Sequence, residues 1–443
     1  MKKVIFLVER SNDLRFFASV IDTFKKKKII IEIFYLNLLI DKNNFKYYLN
    51  PLNIKSNIIK NISIKKFNDK MEFHDYFLKE EKSISFLFSL FFLSKKRFVI
   101  TSEFLRAVDR KWCIIGHGMD SFSQLREEDT YLDYASNFFF TSEFFYKEGK
   151  KYIKKFVKSK SIFDTKKLKT YIVGNTMFSK KIFKKKINKN KINKKKKLIY
   201  LPFPFLKERY GKDFAFQAAF SGQYINYYSF LTKIHKRKSI EAFLLHIKHI
   251  IINNLEILKY FSSIKEFYFL RNELNIIKSI RNFCDKNNYE FIVKPRLKFP
   301  YISQLEKYAD RIIYDDESIQ YPTLLQKEMA STNIIIGSLS STVYESAMFK
   351  IPYINLEIPK IAFKTQDDKF FYNYKKSSYY NYDGVVFNFK LNKFISTFEN
   401  KKEKFFNLNI KNNLDYLKKY CGLNKNNKSS GERIFKILNN KKK

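Results

Sequence analysis

The sequence has few cysteines, few acidic residues and no long apolar run, and each shortage bears on the class of protein. The three cysteines in its 443 residues lie far apart, at Cys113, Cys284 and Cys421, and no CxxC or CxxH spacing occurs. A zinc site is therefore not expected, and a reducing compartment fits. The Walker A, GxGxxG, GxSxG and HExxH patterns are also missing, so the chain shows none of the site chemistry that these motifs carry.

Acidic residues are half as numerous as basic ones, with 43 Asp and Glu against 86 Lys and Arg, which gives a net charge of +43. The excess is almost all lysine, and it accompanies many Asn, Ile, Phe and Tyr residues, whose codons are rich in A and T. Because arginine is sparse and is the better residue for bidentate contacts, we do not expect nucleic-acid binding. An anionic membrane surface is the expected partner, since each lysine near such a surface contributes about 1 kcal/mol.

No apolar run is long enough to cross a membrane. The most apolar stretch, Ile84–Leu93, is followed by Lys95–Arg97 and falls short of the roughly 20 residues that a spanning helix needs. We predict a helix there, either buried or dipping into the membrane interface. The run Val4–Val8 is too short for a signal peptide and indicates a strand. These features predict a cytoplasmic protein that lies peripherally on the inner face of the cell membrane.

Short apolar strands alternate with helical segments along most of the chain, which predicts an α/β fold with mainly parallel strands. Two such series occur, and a chain of 443 residues favours two domains. The predicted divisions are an N-terminal Rossmann-like domain (1–178), a Lys/Asn-rich linker (179–197), a second Rossmann-like domain (198–390, with an insertion at 206–261) and C-terminal helices (391–443). Within the insertion, Ile240–Leu258 is predicted to be either a core helix or an amphipathic helix that binds membrane or acceptor.

The strongest motif is the predicted strand Asn333–Gly337, apolar from Ile334 onward, which runs into a hydroxyl-rich turn and then a helix, Thr342–Met348. Such a turn directs N–H groups and hydroxyls at a phosphate, with the helix dipole behind them. The candidate phosphate ligands are the hydroxyl residues of this turn, Ser338, Ser340, Ser341 and Thr342. Glu345, one turn into the helix, is a candidate acceptor for ribose hydroxyls. The alternative is an ordinary helix that is capped by Ser340 or Ser341.

A second motif follows the predicted strand Lys111–Ile115, where Gly116 and Gly118 flank His117. The glycines let the backbone approach a ligand and leave His117 projecting from the strand end. An acceptor hydroxyl must lose a proton in a group transfer, and histidine suits that task near neutral pH. Asp120 either orients His117 or acts as the base itself. The alternative is a histidine that caps a turn.

Polar residues at other strand ends complete the candidate site. Lys294 and Arg296 follow an apolar strand and are candidates to neutralise a diphosphate, as a metal does elsewhere. The alternative is a basic strand end that faces solvent. No metal site is predicted, because the histidines have no metal-like constellation around them. Four further positions are expected to line the same cleft: Ser142, Gly174, Asn175 and Asp315.

The Ser340–Ser341 block resembles the donor-phosphate loop of GT-B transferases of bacterial cell-surface polymer synthesis. These include the CDP-glycerol glycerophosphotransferases, the Kdo transferases and capsule-type glycosyltransferases. Their pattern is an apolar strand, Ser-Ser, a helix carrying Glu, and then Gly-x-Pro-x-Ile. Here the last part is Phe349–Ile354, which reads FKIPYI without the glycine. The His117 loop is similar to the His-Gly element of the CDP-glycerol transferases, whereas their Lys-x-His-Pro is replaced by Lys294–Arg296, which reads KPR.

This resemblance implies a GT-B fold, in which two Rossmann-like domains with parallel sheets face each other across a cleft. It implies a metal-independent transferase without a cofactor. Such an enzyme moves a glycosyl or glycerophosphoryl group from a nucleotide-sugar or CDP-linked donor, held by the second domain, to a hydroxyl of a surface glycan or lipid-linked acceptor. The alternatives are a nucleotide-sugar 2-epimerase of the same fold and a non-catalytic basic protein that binds lipid or nucleic acid.

Overall fold

The chain forms two compact units, and each unit contains more than one stretch of sequence. Unit 1 contains Met1–Lys186, Asp316–Leu324 and Leu414–Lys443, and unit 2 contains Ile187–Asp315 and Leu325–Asn413. The computed structural model describes residues 2–8, 13–36, 55–56, 59–67, 70–90, 101–109, 111–116, 135–156, 168–177, 195–202, 273–295, 304–314, 320–321, 323–338, 340–357, 374–423 and 428–440.

The strands in these residues are short, and most of the central ones are apolar throughout. In chain order they are β1 (Lys3–Val8), β2 (Ile30–Leu36), β3 (Lys55–Ser56), β4 (Ser63–Phe67), β5 (Ile84–Ser89), β6 (Trp112–Ile115), β7 (Asn137–Phe140), β8 (Lys169–Ile172), β9 (Lys196–Tyr200), β10 (Tyr289–Val293), β11 (Arg311–Ile312), β12 (Gln320–Tyr321), β13 (Ile334–Gly337), β14 (Tyr353–Glu357) and β15 (Val386–Lys390). Continuous apolar runs are typical of parallel strands that helices cover on both faces.

The helices occupy the connections between these strands and the C-terminal region. In chain order they are α1 (Leu14–Lys26), α2 (Lys70–Glu80), α3 (Ser102–Val108), α4 (Glu143–Phe156), α5 (Glu273–Asn287), α6 (Gln304–Tyr308), α7 (Leu324–Met329), α8 (Thr342–Met348), α9 (Leu391–Thr397), α10 (Ile410–Cys421) and α11 (Ser430–Asn440). Two short 3-10 helices, Phe398–Asn400 and Glu403–Phe406, lie between α9 and α10.

Unit 1 is built on a seven-stranded sheet in the order β4-β2-β1-β5-β6-β7-β8, in which every pair is parallel. Phe6 of β1 and Phe88 of β5 stack with their ring centroids 5.1 Å apart, and Phe17 of α1 lies at the same distance from Phe6. All three side chains are fully buried, so aromatic packing holds α1 on the sheet. The short strands β3 and β12 form a separate parallel pair.

Unit 2 carries a six-stranded sheet in the order β11-β10-β9-β13-β14-β15, again with every pair parallel. Phe283 of α5 packs 5.7 Å from Tyr289 of β10 and 4.6 Å from Phe398, measured between ring centroids, within the core on one face of the sheet. From β9 the chain continues to β10 on one side and later reaches β13 on the other. The strand order therefore reverses between β9 and β13.

The sequence-based prediction of two Rossmann-like α/β domains is confirmed. Numbered in chain order within itself, each sheet contains the order 3-2-1-4-5-6 of doubly wound folds. The predicted helix Thr342–Met348 has the bounds of α8. Most of the proposed linker 179–197 and the proposed insertion 206–261 lie outside the described residues, although β9 already begins at Lys196.

The prediction of a helix over Ile84–Leu93 is wrong for the part that the structure describes. Residues Ile84–Ser89 form β5, which pairs with β1 and β6 in the middle of the sheet. A short, continuous apolar run does not distinguish a buried helix from a buried strand, and here the parallel neighbours on both sides decided the outcome. Among the described helices, none combines the length and the hydropathy that crossing a bilayer requires.

The last helix, α11, packs against α1 from the other end of the chain. A Cβ atom on Gly431 would lie 2.1 Å from the carbonyl oxygen of Ser19 and 2.5 Å from Thr23 Oγ1. The Gly431 N–H donates to Ser19 Oγ at 3.0 Å, and Phe435 meets Phe24 edge to face with 5.7 Å between centroids. The C-terminal helix is part of the core of unit 1 because a glycine lets two helix backbones approach closely.

We predict that Gly431→Ala lowers the stability of unit 1 by about 2 kcal/mol, because the added methyl group meets backbone that has little room to move. On an isolated helix the same change stabilises by about 1 kcal/mol, so the sign of the effect tests the contact. Thermal unfolding measures it, with Lys436→Ala at an exposed position of the same helix as the control. An unchanged or raised melting temperature for Gly431→Ala would contradict the close packing of α11 on α1.

Candidate functional site

The carboxyl ends of β9 and β13 mark the place where the strand order of unit 2 reverses. In open parallel sheets, ligands bind outside the carboxyl ends of the strands at such a reversal. Beyond the strands, Leu201 N–H donates to the Ile336 carbonyl at 2.8 Å and Lys294 N–H donates to the Tyr200 carbonyl at 3.0 Å. The sheet pairing therefore continues to the edge at which the candidate residues begin.

Gly337 and Ser338 join β13 to the hydroxyl-rich turn, and both are fixed by the neighbouring strand β14. A Cβ atom on Gly337 would lie 2.4 Å from the hydroxyl of Tyr353, which is fully buried. Ser338 is also buried, and its hydroxyl donates to the Leu356 carbonyl at 2.6 Å. The structure thus places the Ser338 hydroxyl against the sheet, where it ties the turn to β14.

Ser340 and Ser341 have different surroundings, although they are neighbours in the sequence. The Thr342 N–H donates to Ser340 Oγ at 3.2 Å, and Ser340 Oγ is 2.9 Å from Thr342 Oγ1. Val343 N–H and Tyr344 N–H donate to the carbonyls of Ser340 and Ser341. The Ser341 side chain is exposed and makes no capping hydrogen bond. Ser340 therefore supplies the side-chain hydrogen bond that caps the first N–H of α8, while Ser341, the exposed residue just before the helix, supplies none.

Glu345 is a buried acid in α8, with 5% of its surface exposed. Its Oε1 accepts a hydrogen bond of 2.9 Å from Nε2 of Gln326, a residue of α7 that is also buried. The sequence pattern identified Glu345 but not Gln326. The two residues are 19 positions apart, so the local pattern around Gln326 carries no signal of this contact.

Lys294 stands at the end of β10, the strand next to β9, and only 5% of it is exposed. A lysine is rarely buried to this degree, because its ammonium group must find polar or charged partners away from water. Lys294 thus lies two strands from β13 at the same edge of the sheet. This position differs from that of a solvent-facing basic residue, which was the alternative prediction.

Lys350 occupies the position at which the related pattern has glycine. Its φ angle is 59°, within the left-handed region that favours glycine. Its N–H donates to the Ala347 carbonyl at 3.1 Å, and Ile351 N–H donates to the Ser346 carbonyl at 2.9 Å. The turn that ends α8 therefore keeps a glycine-type conformation with a lysine in its place.

In unit 1, the described candidates are bound into the strand ends. Gly116 N–H donates to the Phe139 carbonyl, and Ser142 Oγ accepts from the Phe145 N–H at the start of α4. Gly174, with φ of 89°, packs against Gly422 and Ser430 of the C-terminal segment. Asn175 Oδ1 accepts from the Met177 N–H at 2.9 Å. These residues support the backbone at the carboxyl ends of β6, β7 and β8.

Five predicted site residues lie outside the described part of the chain: His117, Gly118, Asp120, Arg296 and Asp315. Their roles stay predictions. Among the residues that the structure describes, no group of three or more His, Cys, Asp or Glu side chains is arranged to hold a metal ion.

No family model matches the chain, and no curated protein matches its sequence. Solved structures resemble it over nearly its whole length. A UDP-N-acetylglucosamine 2-epimerase homologue from Listeria monocytogenes has 9% identity and a TM-score of 0.49, with 100% of this chain and 97% of that chain covered. The UDP-GlcNAc 2-epimerase from Neisseria meningitidis has 12% identity and a TM-score of 0.46, with 99% and 100% covered.

The wall teichoic acid polymerase TagF has 10% identity and a TM-score of 0.47, with 99% of this chain and 89% of that chain covered. The similar structures therefore include a wall teichoic acid polymerase and nucleotide-sugar epimerases. The sequence resemblance named transferases of cell-surface polymer synthesis, and the epimerase was one of the alternatives. The function of this chain is argued below from its own site.

We predict that Ser340→Ala lowers the free energy of unfolding by about 1 kcal/mol, because the capping hydrogen bond to Thr342 is lost. Ser341→Ala is expected to change it by less than about 0.5 kcal/mol, since its side chain is exposed and caps nothing. Urea unfolding of the two variants measures the difference. Equal losses in both would contradict the assignment of the cap to Ser340.

We predict that Lys350→Gly raises stability by about 1 kcal/mol, because a left-handed residue with a Cβ atom costs roughly that amount and glycine does not. Lys350→Ala keeps the Cβ atom and removes the same charge, so it is the matched control. Thermal unfolding of both variants gives the comparison. If alanine stabilised as much as glycine, the gain would come from the charge and not from the backbone.

Proposed function

We propose that this chain is a metal-independent transferase of the GT-B type that uses a nucleotide-activated donor. It moves a glycosyl or glycerophosphoryl group to a hydroxyl of a surface glycan or lipid-linked acceptor. One observation supports this most directly. At the reversal point of the unit 2 sheet, an exposed serine and a buried acid follow β13, and a buried lysine follows β10, the strand on the other side of β9.

Each of these groups fits one part of a nucleoside diphosphate. Ser341, at the start of α8, offers a hydroxyl to a phosphate at the positive end of the helix dipole. Lys294, joined by Arg296, is proposed to neutralise the diphosphate as the bond to the leaving group breaks. Glu345 accepts hydrogen bonds from ribose hydroxyls. Ser338, Ser340 and Thr342 shape the turn, since their hydroxyls already bond within the fold or cap the helix.

The acceptor side of the reaction is proposed for unit 1. His117 is the proposed base that removes the proton from the acceptor hydroxyl, with Asp120 as its orienting partner or as the base itself. The hydroxyl oxygen then attacks the donor and the nucleotide leaves with its phosphate charge balanced by the basic residues. No cofactor takes part in this scheme.

We predict that one nucleotide among CMP, CDP, UDP, GDP and their sugar or glycerol conjugates raises the melting temperature of the wild-type protein. Ser341→Ala and Glu345→Gln should each weaken its binding about tenfold, because each removes a contact to the ligand. Ser340→Ala is the matched control, since its hydroxyl is occupied by the cap. Thermal shift and calorimetric titration measure both effects.

If no nucleotide stabilises the protein at millimolar concentration, the transferase proposal fails and the non-catalytic binding alternative takes its place. If a nucleotide binds, incubation of the protein with the sugar conjugate of that nucleotide, without an acceptor, tests the alternative of a nucleotide-sugar 2-epimerase. An isomerised sugar formed under those conditions would identify a 2-epimerase, whereas transfer to an added glycan or lipid-linked acceptor would identify the transferase.

An anionic membrane surface is the proposed partner of the basic chain, and one segment of unit 2, residues 401–410, suits it. Phe405 and Ile410 are exposed by 48% and 52%, which is high for apolar side chains. Lys401 Nζ lies 4.5 Å from the centroid of the Phe405 ring, and Lys402 and Lys404 are exposed beside it. Apolar side chains among lysines are typical of segments that lie at a lipid interface.

We predict that Lys402→Glu with Lys404→Glu weakens binding to vesicles containing anionic lipid by roughly tenfold or more, since each lysine contributes about 1 kcal/mol there. Lys28→Glu with Lys436→Glu makes the same change of net charge at exposed positions of unit 1 and is the control. Vesicle sedimentation measures the binding. Equal losses of vesicle binding in the two double variants would show that net charge, and not the segment 401–410, attracts the protein to the membrane.

A further inference from the structure

We propose that Gln326 is a positioning residue for the nucleotide site. Gln326 holds the Glu345 carboxyl group in the orientation that receives the ribose hydroxyls. This inference rests on the proposed function, because it assigns a role within the same site. Gln326 belongs to α7, and Glu345 belongs to α8, so the contact joins two separate helices of unit 2.

The contact is short, directional and almost fully screened from water. Gln326 Nε2 donates to Glu345 Oε1 at 2.9 Å, and the two residues are 2% and 5% exposed. A hydrogen bond to a charged acceptor is stronger than one between neutral groups, and more so where water is excluded. The amide therefore fixes the side-chain conformation of Glu345. Glu345 has two carboxyl oxygens, and the amide of Gln326 engages Oε1.

The position of α7 is itself fixed by an ion pair two residues further along the helix. Arg311 forms a bidentate pair with Glu328, with both N–O distances at 3.0 Å, and Lys197 Nζ lies 3.1 Å from the same carboxylate. A helix of six residues has little stability of its own. The pair therefore anchors α7 to β9 and β11, and the anchored helix carries Gln326 to Glu345.

This arrangement gives the site a way to recognise ribose. A carboxylate that is held in one orientation accepts hydrogen bonds from hydroxyls at fixed positions, whereas a mobile one accepts them less selectively. We therefore expect the wild-type protein to bind a ribonucleotide more tightly than its 2′-deoxy form. That preference should depend on Gln326, although Gln326 touches no part of the nucleotide itself.

The test measures the dissociation constants of UDP, CDP, 2′-deoxyUDP and 2′-deoxyCDP for the wild type, Gln326→Met and Lys327→Met. Methionine keeps the length of Gln326 without its donor, and Lys327 is the next residue on α7, with an exposed side chain. We expect the wild type and Lys327→Met to prefer the ribonucleotide about tenfold. In Gln326→Met the ratio of the two dissociation constants should fall toward one. The affinity for the deoxynucleotide should be retained, because contacts to its phosphates dominate that binding.

A second comparison separates positioning from a general structural effect. In a Glu345→Gln background the further change Gln326→Met should leave the ribose preference unchanged, because the group through which Gln326 acts is already altered. If Gln326→Met does not fold, Gln326→Asn keeps the amide and withdraws it by one methylene, and it should show the same loss of preference.

The outcomes distinguish this inference from the proposed function. If the wild type prefers the ribonucleotide and Gln326→Met and Gln326→Asn keep that preference, the inference is overturned and the nucleotide site stands. If the wild type binds nucleotides without a ribose preference, the inference also fails, since Glu345 does not receive the ribose. If the wild type binds neither UDP nor CDP nor their deoxy forms, the nucleotide site itself fails.

Discussion

The pairing of β9 with β13 is the constraint on which the candidate site depends. These two strands are far apart in the sequence, and the chain runs away from them to opposite sides of the sheet. In open parallel sheets, ligands bind outside the carboxyl ends of the strands where the strand order reverses in this way. Lys294 and the turn after β13 reach that edge only because β10 and β13 both flank β9 in parallel.

The turn after β13 is stabilised by hydrogen bonds within the fold, and it is also the proposed phosphate loop. Ser338 is bonded to β14, Ser340 caps α8, and the first N–H groups of the helix have acceptors within the turn. Ser341 is exposed, whereas Ser340 is half-buried and Ser338 is buried. The two interpretations of the motif, a phosphate loop and an ordinary cap, are therefore compatible, because the hydroxyl proposed to bind phosphate is not the one that makes the capping bond.

Much of the fold could be predicted from the sequence, because parallel strands and amphipathic helices have distinct local patterns. The helix Thr342–Met348 has its predicted bounds, and the strand predicted over Asn333–Gly337 begins one residue later, at Ile334, where the apolar run starts. The pattern was not sufficient at Ile84–Leu93, where a continuous apolar run fits a buried helix and a buried strand equally well. The strand β4 is too polar to have been recognised, and α2 has only a weak amphipathic pattern.

Some features of the candidate site could likewise be predicted from the sequence, and others could not. By itself the sequence determined the hydroxyl-rich turn, the acid in α8 and the basic residue after β10, because each follows from the residues next to it. Only the tertiary structure decided which serine is exposed and that Gln326 bonds to Glu345. It also decided that Gly431 lies against α1. These are contacts between segments distant along the chain, and a local pattern holds no information about which distant side chain will lie opposite once the helices pack.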